Sequence, residues 1–356
     1  MTARLPRNTI LLGDALGQLR RLPDASVDTV VTSPPYHLLR DYGRPGQIGM
    51  EPTVAGYVDD IVAVCDEIAR VLKPSGSLWL NLGDSYSRHH RYGAAAKSLL
   101  LAPERVLLAL ADRGWIVRNK VVWAKPNPMP TSVRDRLSCT YEPVYLLTRA
   151  GSYFFDLDAI RVPHKSSRRG LTSTRQRETS STGPQNRPKY DSRHPHWAGP
   201  LAGRNDGLER ARREGRPGHR LGKNPGDVWT VPTAAYRGAH FATFPVALVT
   251  RPITATCPAR TCTGCGRPWA QAQGRPTAPE CTCGTGWQPG IVLDPFMGAG
   301  TTAVAARSLG RDWLGIELNP DYRHLATTRI ASTAVRQAPP PEEMPDTQGA
   351  HHVPAP

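Results

Sequence analysis

Two hydrophobic periods alternate along the 356-residue chain. Short β-branched or apolar runs bounded by turn residues predict strands at Asn8–Leu12, Val27–Thr32, Ser77–Leu82, Trp115–Trp123, Tyr141–Thr148, Gly290–Leu293 and Trp313–Ile316. Between them, apolar residues at helical spacing predict helices over Ala15–Arg21, Tyr57–Leu72, Leu99–Arg113, Phe244–Val249, Thr301–Leu309 and Pro320–Ala331. In Tyr57–Leu72 the stripe is Ile61, Val64, Cys65, Ile68 and Leu72, and Lys73-Pro74-Ser75-Gly76 is expected to end the helix. Val27–Thr32 stops at Ser33-Pro34-Pro35-Tyr36, because proline cannot donate to a sheet ladder. Trp115–Trp123 and Tyr141–Thr148 read as paired strands. Strands alternating with helices in this way predict an α/β fold whose mostly parallel sheet is covered on both faces.

The pattern fails in two places. Between Arg161 and Lys223 neither period is sustained, and Gly, Pro, Ser and Thr interrupt the chain. That stretch holds 16 Lys+Arg against 5 Asp+Glu, so it carries +11 of the chain's net +15. It is either a charged linker or a loop-rich module that orders against nucleic acid, and the interleaved Tyr190 and Trp197 favour the second. The other failure is the Pro-rich tail from Arg336, expected to be disordered. The remaining composition excludes more than it identifies. At 39% hydrophobic residues the chain can build a core, yet no apolar run approaches the ~20 residues of a membrane span. The N-terminus lacks an apolar signal region, and seven cysteines are an odd number for a disulfide framework. A reducing, cytoplasmic location is expected, with no membrane partner.

Two strings carry chemistry. Asp294-Pro295-Phe296-Met297-Gly298-Ala299-Gly300-Thr301-Thr302 follows an apolar strand and opens a helix. Its glycines allow a tight turn and close ligand approach, and the free amides of the helix start favour an anion. A following strand ends in Glu317, suited to a ribose diol. No Gly-Lys-Thr/Ser is present, which argues against a phosphate-cradling loop. The second string, Ser33-Pro34-Pro35-Tyr36, sits at a strand's C-terminal end, the edge where open α/β sheets bind ligands. Its stiff loop offers carbonyl acceptors, the Ser33 hydroxyl and the flat Tyr36 ring.

Together these strings resemble the S-adenosylmethionine-dependent DNA amino-methyltransferases, which modify the exocyclic amine of cytosine or adenine. The resemblance covers roughly residues 8–150 and 226–330. It includes Gly13-Asp14, Val71–Leu82, Val121–Thr148, Gly226–Thr233 and His240–Val249. The catalytic string precedes the cofactor string, which is the permuted order of the family's beta class. The resemblance implies a Rossmann-like methyltransferase fold with a circularly permuted sheet. Residues 1–150 would form the catalytic half, 151–227 a basic target-recognition insertion, 228–335 the cofactor half and 336–356 the tail.

By the same resemblance, Ser33, Pro34, Pro35 and Tyr36 are catalytic, with Tyr36 stacking on a flipped base. Asp14, Phe244, Asp294, Phe296, Gly298, Gly300, Thr301, Thr302 and Glu317 would hold S-adenosylmethionine. Asp294 and Gly298–Thr302 are expected at its methionine moiety and Glu317 at its ribose. Arg168, Arg169, Arg212 and Arg213 would contact double-stranded DNA. A serine at the head of the tetrapeptide accompanies cytosine N4 more often than adenine N6, so N4 is favoured. Adenine N6 is the alternative, ahead of an inactive DNA-binding module or an RNA or protein amine methyltransferase. A cognate restriction endonuclease would be a natural partner of such an enzyme, and the oligomeric state is not encoded in any clear stripe.

The cysteines depart from this pattern. Cys65 and Cys139 read as packing residues. Cys262-x2-Cys265 is a metal knuckle, and Cys281-x-Cys283 supplies a second, more closely spaced pair within the segment 257–288. A structural zinc is the expected occupant, with Cys257 as a spare or substitute ligand.

Overall fold

The computed structural model describes residues 5–164, 219–234, 244–272 and 275–334. The DNA-contact candidates Arg168, Arg169, Arg212 and Arg213, and the tail from Arg336, lie outside the described residues.

The described strands are β1 (Thr9–Leu12), β2 (Val27–Thr32), β3 (Leu72–Asn81), β4 (Ile116–Ala124), β5 (Tyr141–Thr148), β6 (Val228–Thr230), β7 (Thr261–Cys262), β8 (Trp269–Ala272), β9 (Arg275–Pro279), β10 (Trp287–Gln288), β11 (Ile291–Asp294) and β12 (Asp312–Glu317). The helices are α1 (Ala15–Leu19), α2 (Val54–Val71), α3 (Ala102–Asp112), α4 (Val246–Thr256), α5 (Thr301–Ser308) and α6 (Pro320–Ala331). Eight strands form one sheet in the order β1-β12-β11-β2-β3-β5-β4-β6. Within it β5 runs antiparallel to β3 and β4, and every other neighbouring pair is parallel. The chain therefore folds as the α/β, mostly parallel sheet expected of it.

Strand order shows how the two halves combine. β11 and β12, late in sequence, insert between β1 and β2. Leu12 pairs with Glu317, and Leu293 pairs with Val30. Because these four strands are parallel, their C-terminal ends lie on one edge, which brings Gly13-Asp14, Ser33–Tyr36, Pro295–Thr301 and Glu317 together.

Strand alternation divides the core between two faces. Val30, Leu78, Leu80, Tyr145, Leu147 and Leu314 pack on the face covered by α1, α2 and α3, among Leu19, Ile61, Ile68 and Leu110. Val31, Trp79, Val144, Leu146 and Trp313 point the other way, among Ile253, Ala303, Ala306 and Ile330 of α4, α5 and α6. Both faces are buried, which explains why β2 is buried at all six positions.

Several local expectations change. Lys73–Gly76 does not follow the helix as a separate turn but belongs to the irregular start of β3, where the register with β2 shifts between Val27 and Thr29. α4 starts two residues after Phe244 and runs on to Thr256 despite Pro252. Cys65 is buried as expected, whereas Cys139 is exposed, with its Sγ 3.8 Å from the Tyr86 hydroxyl, so it is not a packing residue. Among the described residues no helix is long and apolar enough to cross a membrane.

Candidate active site

A cavity of about 340 Å³ opens at the shared C-terminal edge. Ser33 and Pro35 line it from the loop after β2, and Gly298 and Thr301 from the loop after β11. Asp14, Phe244, Phe296 and Glu317 complete the set that the sequence singled out. Pro34, Tyr36, Asp294, Gly300 and Thr302 are not among its lining residues.

Glu317 is held by the chain it faces. Its Oε2 accepts from the Gly298 amide at 2.7 Å and its Oε1 from the Asn319 amide at 2.8 Å. Burial raises its pKa, opposed by those two amides. Each oxygen keeps a further lone pair, so the carboxylate can still accept from a diol. Asp14 caps α1 through the Gly17 amide at 2.7 Å while lining the cavity. Phe244 and Phe296 give it apolar walls. On Thr301, Oγ1 accepts from Arg329 at 2.9 Å.

Asp294 and Thr302 have a different place from the one expected. The Thr302 hydroxyl donates to Asp294 Oδ2 at 2.6 Å, and the Thr32 hydroxyl donates to Asp294 Oδ1 at 2.7 Å. The Phe296 amide also donates to Oδ1, at 3.1 Å. Both residues are fully buried, and desolvation pushes the Asp294 pKa up to about 6 against the pull of those donors. Both side chains are buried, bond within the chain and are not among the residues that line the cavity. They join the end of β2 to the end of β11 and to the start of α5 instead. Gly300 acts through its backbone: φ is +78°, and a Cβ there would sit 3.1 Å from Ala326 Cβ and Ile330 Cδ1. Only glycine lets α5 and α6 approach at that point.

Tyr36 is anchored at its hydroxyl. It lies 2.8 Å from Glu142 Oε2, 3.2 Å from Asn81 Oδ1 and 3.2 Å from Ser33 Oγ. Lys125 pairs with the other oxygen of Glu142. Burial and the Glu142 charge hold the phenol pKa well above its ordinary value, so Tyr36 keeps its proton. Its ring lies against Gly83, and the Pro35 carbonyl beside it accepts from the Tyr57 hydroxyl at 3.0 Å.

Asn81, Lys125 and Glu142 were not singled out from sequence. They fall on three different strands or strand ends, and nothing local marks them. The loop from Tyr42 to Ile48, with Arg44 bound to Asn319 at 3.1 Å, also walls the cavity without a sequence signal. A second concavity, of about 1420 Å³, is lined by Leu38–Asp41, Tyr86, Arg88, Lys97 and Arg136.

S-adenosylmethionine, implied by the resemblance, fits this donor set. The cavity combines apolar walls at Phe244 and Phe296 with Glu317, a carboxylate that can still accept from a diol. Thr301, the first residue of α5, lines the same cavity.

The chain is similar to known proteins. The Type II methyltransferase M.SfiI of Streptomyces fimbriatus is 34% identical, covering 89% of this chain and 89% of its own. M.SmaI of Serratia marcescens, also a Type II methyltransferase, is 32% identical over 90% of both chains. Among solved structures, the PvuII DNA methyltransferase (cytosine-N4-specific) superposes with a TM-score of 0.54, at 18% identity, over 91% of this chain and 86% of that one, and so shares the fold. Residues 27–328 match the N6/N4 family described as DNA methylase, a span that holds the tetrapeptide, the cofactor string and Glu317, and the chain belongs to that family of DNA amino-methyltransferases.

Proposed function

We propose that the chain is a site-specific DNA methyltransferase that methylates cytosine N4 on a base flipped out of duplex DNA, using S-adenosylmethionine. One observation carries the reading: a single cavity is lined both by Ser33 and Pro35 of the tetrapeptide and by Gly298, Thr301 and Glu317 of the cofactor half. Cytosine rather than adenine follows from Ser33 at the head of the tetrapeptide, as the family resemblance implies. The Type II relatives support a role beside a cognate restriction endonuclease. The second concavity, next to the Tyr36 loop, gives duplex DNA a surface, with the basic insertion as the reader of sequence.

When bound, S-adenosylmethionine supplies an electrophilic methyl group. The chain's own residues must do the rest by positioning and by handling a proton. An exocyclic amine is a weak nucleophile because its lone pair is delocalised into the base. Ser33 Oγ and the Pro34 carbonyl accept its hydrogens and favour a pyramidal nitrogen. The network around Tyr36 makes Ser33 suitable for this. The Tyr36 hydroxyl donates to Glu142, so its oxygen takes the Ser33 proton as a hydrogen bond, leaving the Ser33 lone pairs free for the amine. The same line gives the departing proton a route: amine to Ser33, Ser33 to Tyr36, Tyr36 to Glu142. Lys125 balances the Glu142 carboxylate before the proton arrives.

The test is methyl transfer from tritiated S-adenosylmethionine to duplex DNA, with single-molecule sequencing of DNA from a host expressing the protein. N4-methylcytosine in one fixed context is expected. N6-methyladenine would overturn the base assignment. Tight cofactor and DNA binding without transfer would make the protein an inactive binding module, and transfer to RNA or protein alone would overturn the substrate.

A further inference from the structure

We propose that Cys262, Cys265, Cys281 and Cys283 bind one structural zinc ion at the edge of the sheet opposite the active site. Their four Sγ atoms lie within 4.8 Å of one another. Zinc–thiolate bonds of about 2.3 Å in a tetrahedron separate the sulfurs by about 3.8 Å, so each pair closes by no more than about 1 Å. The set is sized for a single ion, not for a multi-iron cluster.

The backbone around the thiols is built to present them. Cys262 ends β7, and β7 pairs antiparallel with β10, placing Cys262 opposite Trp287. The knuckle closes with Gly266 N donating to Cys262 O at 3.0 Å and Cys262 N donating to Arg267 O at 2.8 Å. The Gly264 amide points at Cys262 Sγ from 3.4 Å, a donor suited to a thiolate's charge. The β8–β9 hairpin separates the two cysteine pairs, and the loop after it returns Cys281 and Cys283 to the knuckle. Arg260 lies between the Trp269 and Trp287 rings, 5.2 Å and 4.4 Å from their centroids, and fixes the base of the module.

Cys257 is not part of the set. It is buried at the end of α4, its Sγ against Gly290, and it lies outside the converging group. This excludes it as the substitute ligand.

Position gives the zinc its role. The module is the whole connection from α4 to β11, and it enters β11 at Ile291, whereas the cavity opens beyond Asp294 at the other end. Gly290 N bonds Pro258 O at 3.1 Å, and Lys73, paired with Asp28 at 2.7 Å, reaches Gly266 O at 3.4 Å. A metal here pins a long crossover onto the start of the strand that carries the cofactor loop. It takes no part in methyl transfer, and its assignment does not depend on which base is methylated.

The experiment is metal analysis of full-length protein purified under reducing conditions without chelator. One zinc per chain is expected, released stoichiometrically when a mercurial titrates the thiols. Cobalt(II) in its place should give the intense d–d bands of a tetrahedral tetrathiolate. The paired substitution Cys265→Ser with Cys283→Ser, both exposed positions, should remove the zinc and lower Tm, whereas Cys139→Ser should keep both. Should the double variant fail to fold, alkylation of the intact wild type decides: the four thiols must react more slowly than exposed Cys139. Zinc-free native protein whose four thiols react as fast as Cys139 would overturn the site, as would iron in place of zinc or disulfides among the four.

Discussion

Gly83→Ala tests the reading of the tetrapeptide most directly. Gly83 has an ordinary backbone conformation, so nothing about its dihedrals demands glycine; what demands it is the Tyr36 ring. A methyl group there would lie 2.5 Å from Tyr36 Cδ2 and closer still to Cε2. Carbon atoms rest at about 3.5–4.0 Å, so the ring must retreat by about 1 Å or more. It has little freedom to do so, because its hydroxyl is bound to Glu142 at 2.8 Å and its backbone belongs to the rigid proline loop. Overpacking of this kind costs about 1–3 kcal/mol, divided between global stability and distortion of the loop. A misplacement of about 1 Å near the reacting atoms can cost on the order of 10²-fold in rate.

Gly83 does not line the cofactor cavity, so S-adenosylmethionine affinity should change only slightly. The assay is single-turnover methyl transfer to duplex DNA, with calorimetric cofactor binding and Tm measured alongside. A loss of about 10²-fold in transfer with near-normal cofactor affinity is expected. In a Tyr36→Ala background the same substitution should do almost nothing further, since its target is gone. A transfer rate within about twofold of wild type, or full additivity in the double variant, would refute the proposed placement of the ring.

Other outcomes follow from the same geometry. Asp294, with its pKa near 6 against an ordinary 3.8, binds a proton in the folded chain at pH values where the unfolded chain has released it, so stability falls as pH rises from about 4 to 6. That slope is worth about 3 kcal/mol and should vanish in Asp294→Asn, measured by urea unfolding across that window. Glu317→Ala frees the Gly298 and Asn319 amides and removes the diol acceptor, so calorimetry should show cofactor affinity falling about 10- to 100-fold, and unchanged affinity would end the ribose assignment. Glu142→Gln should leave cofactor binding intact while slowing transfer and altering its pH profile, because the end of the proposed proton line is lost. Replacing Arg168, Arg169, Arg212 and Arg213 with neutral residues should weaken DNA binding and reduce its salt slope by up to about 4, with cofactor affinity unchanged.

Legibility followed the physics that each element depends on. β2 and α6 are found at their expected residues because local chemistry bounds them: a β-branched run stopped by proline, and the Asn319 cap followed by Pro320. α4 was read too short because Pro252 interrupts the pattern, yet tertiary packing of Leu248, Val249 and Ile253 carries the helix through it. β6, three residues long, carries too little period to announce itself and exists by pairing with β4 at the sheet edge. Strand order has no local signature at all. The resemblance implies a permuted sheet, but the insertion of β11 and β12 between β1 and β2 is seen only in the fold. The Cys262-x2-Cys265 spacing is legible in the sequence, but only the fold separates Cys257 from the four converging thiols.

The candidate site shows why a legible string is not a list of contacts. Asp294 and Glu317 are both acids at the ends of adjacent parallel strands, and from sequence they look equally able to reach a ligand. Their neighbours decide otherwise. Two threonine hydroxyls and an amide satisfy Asp294 and bury it, and one of those hydroxyls belongs to Thr32, the residue just before the tetrapeptide. Glu317 receives only one amide on each oxygen and stays on the cavity wall. The first acid thus couples the two strings mechanically, while the second keeps lone pairs facing the cavity, as the proposed ribose contact requires. Ser33 completes the same logic, because its usefulness as an acceptor depends on where Tyr36 sends its own proton. That direction is set by Glu142 and Lys125, which are distant in sequence and adjacent only after β4 and β5 have paired. A substitution on β4 or β5 that tilts Glu142 should therefore alter transfer at Ser33 without touching either motif.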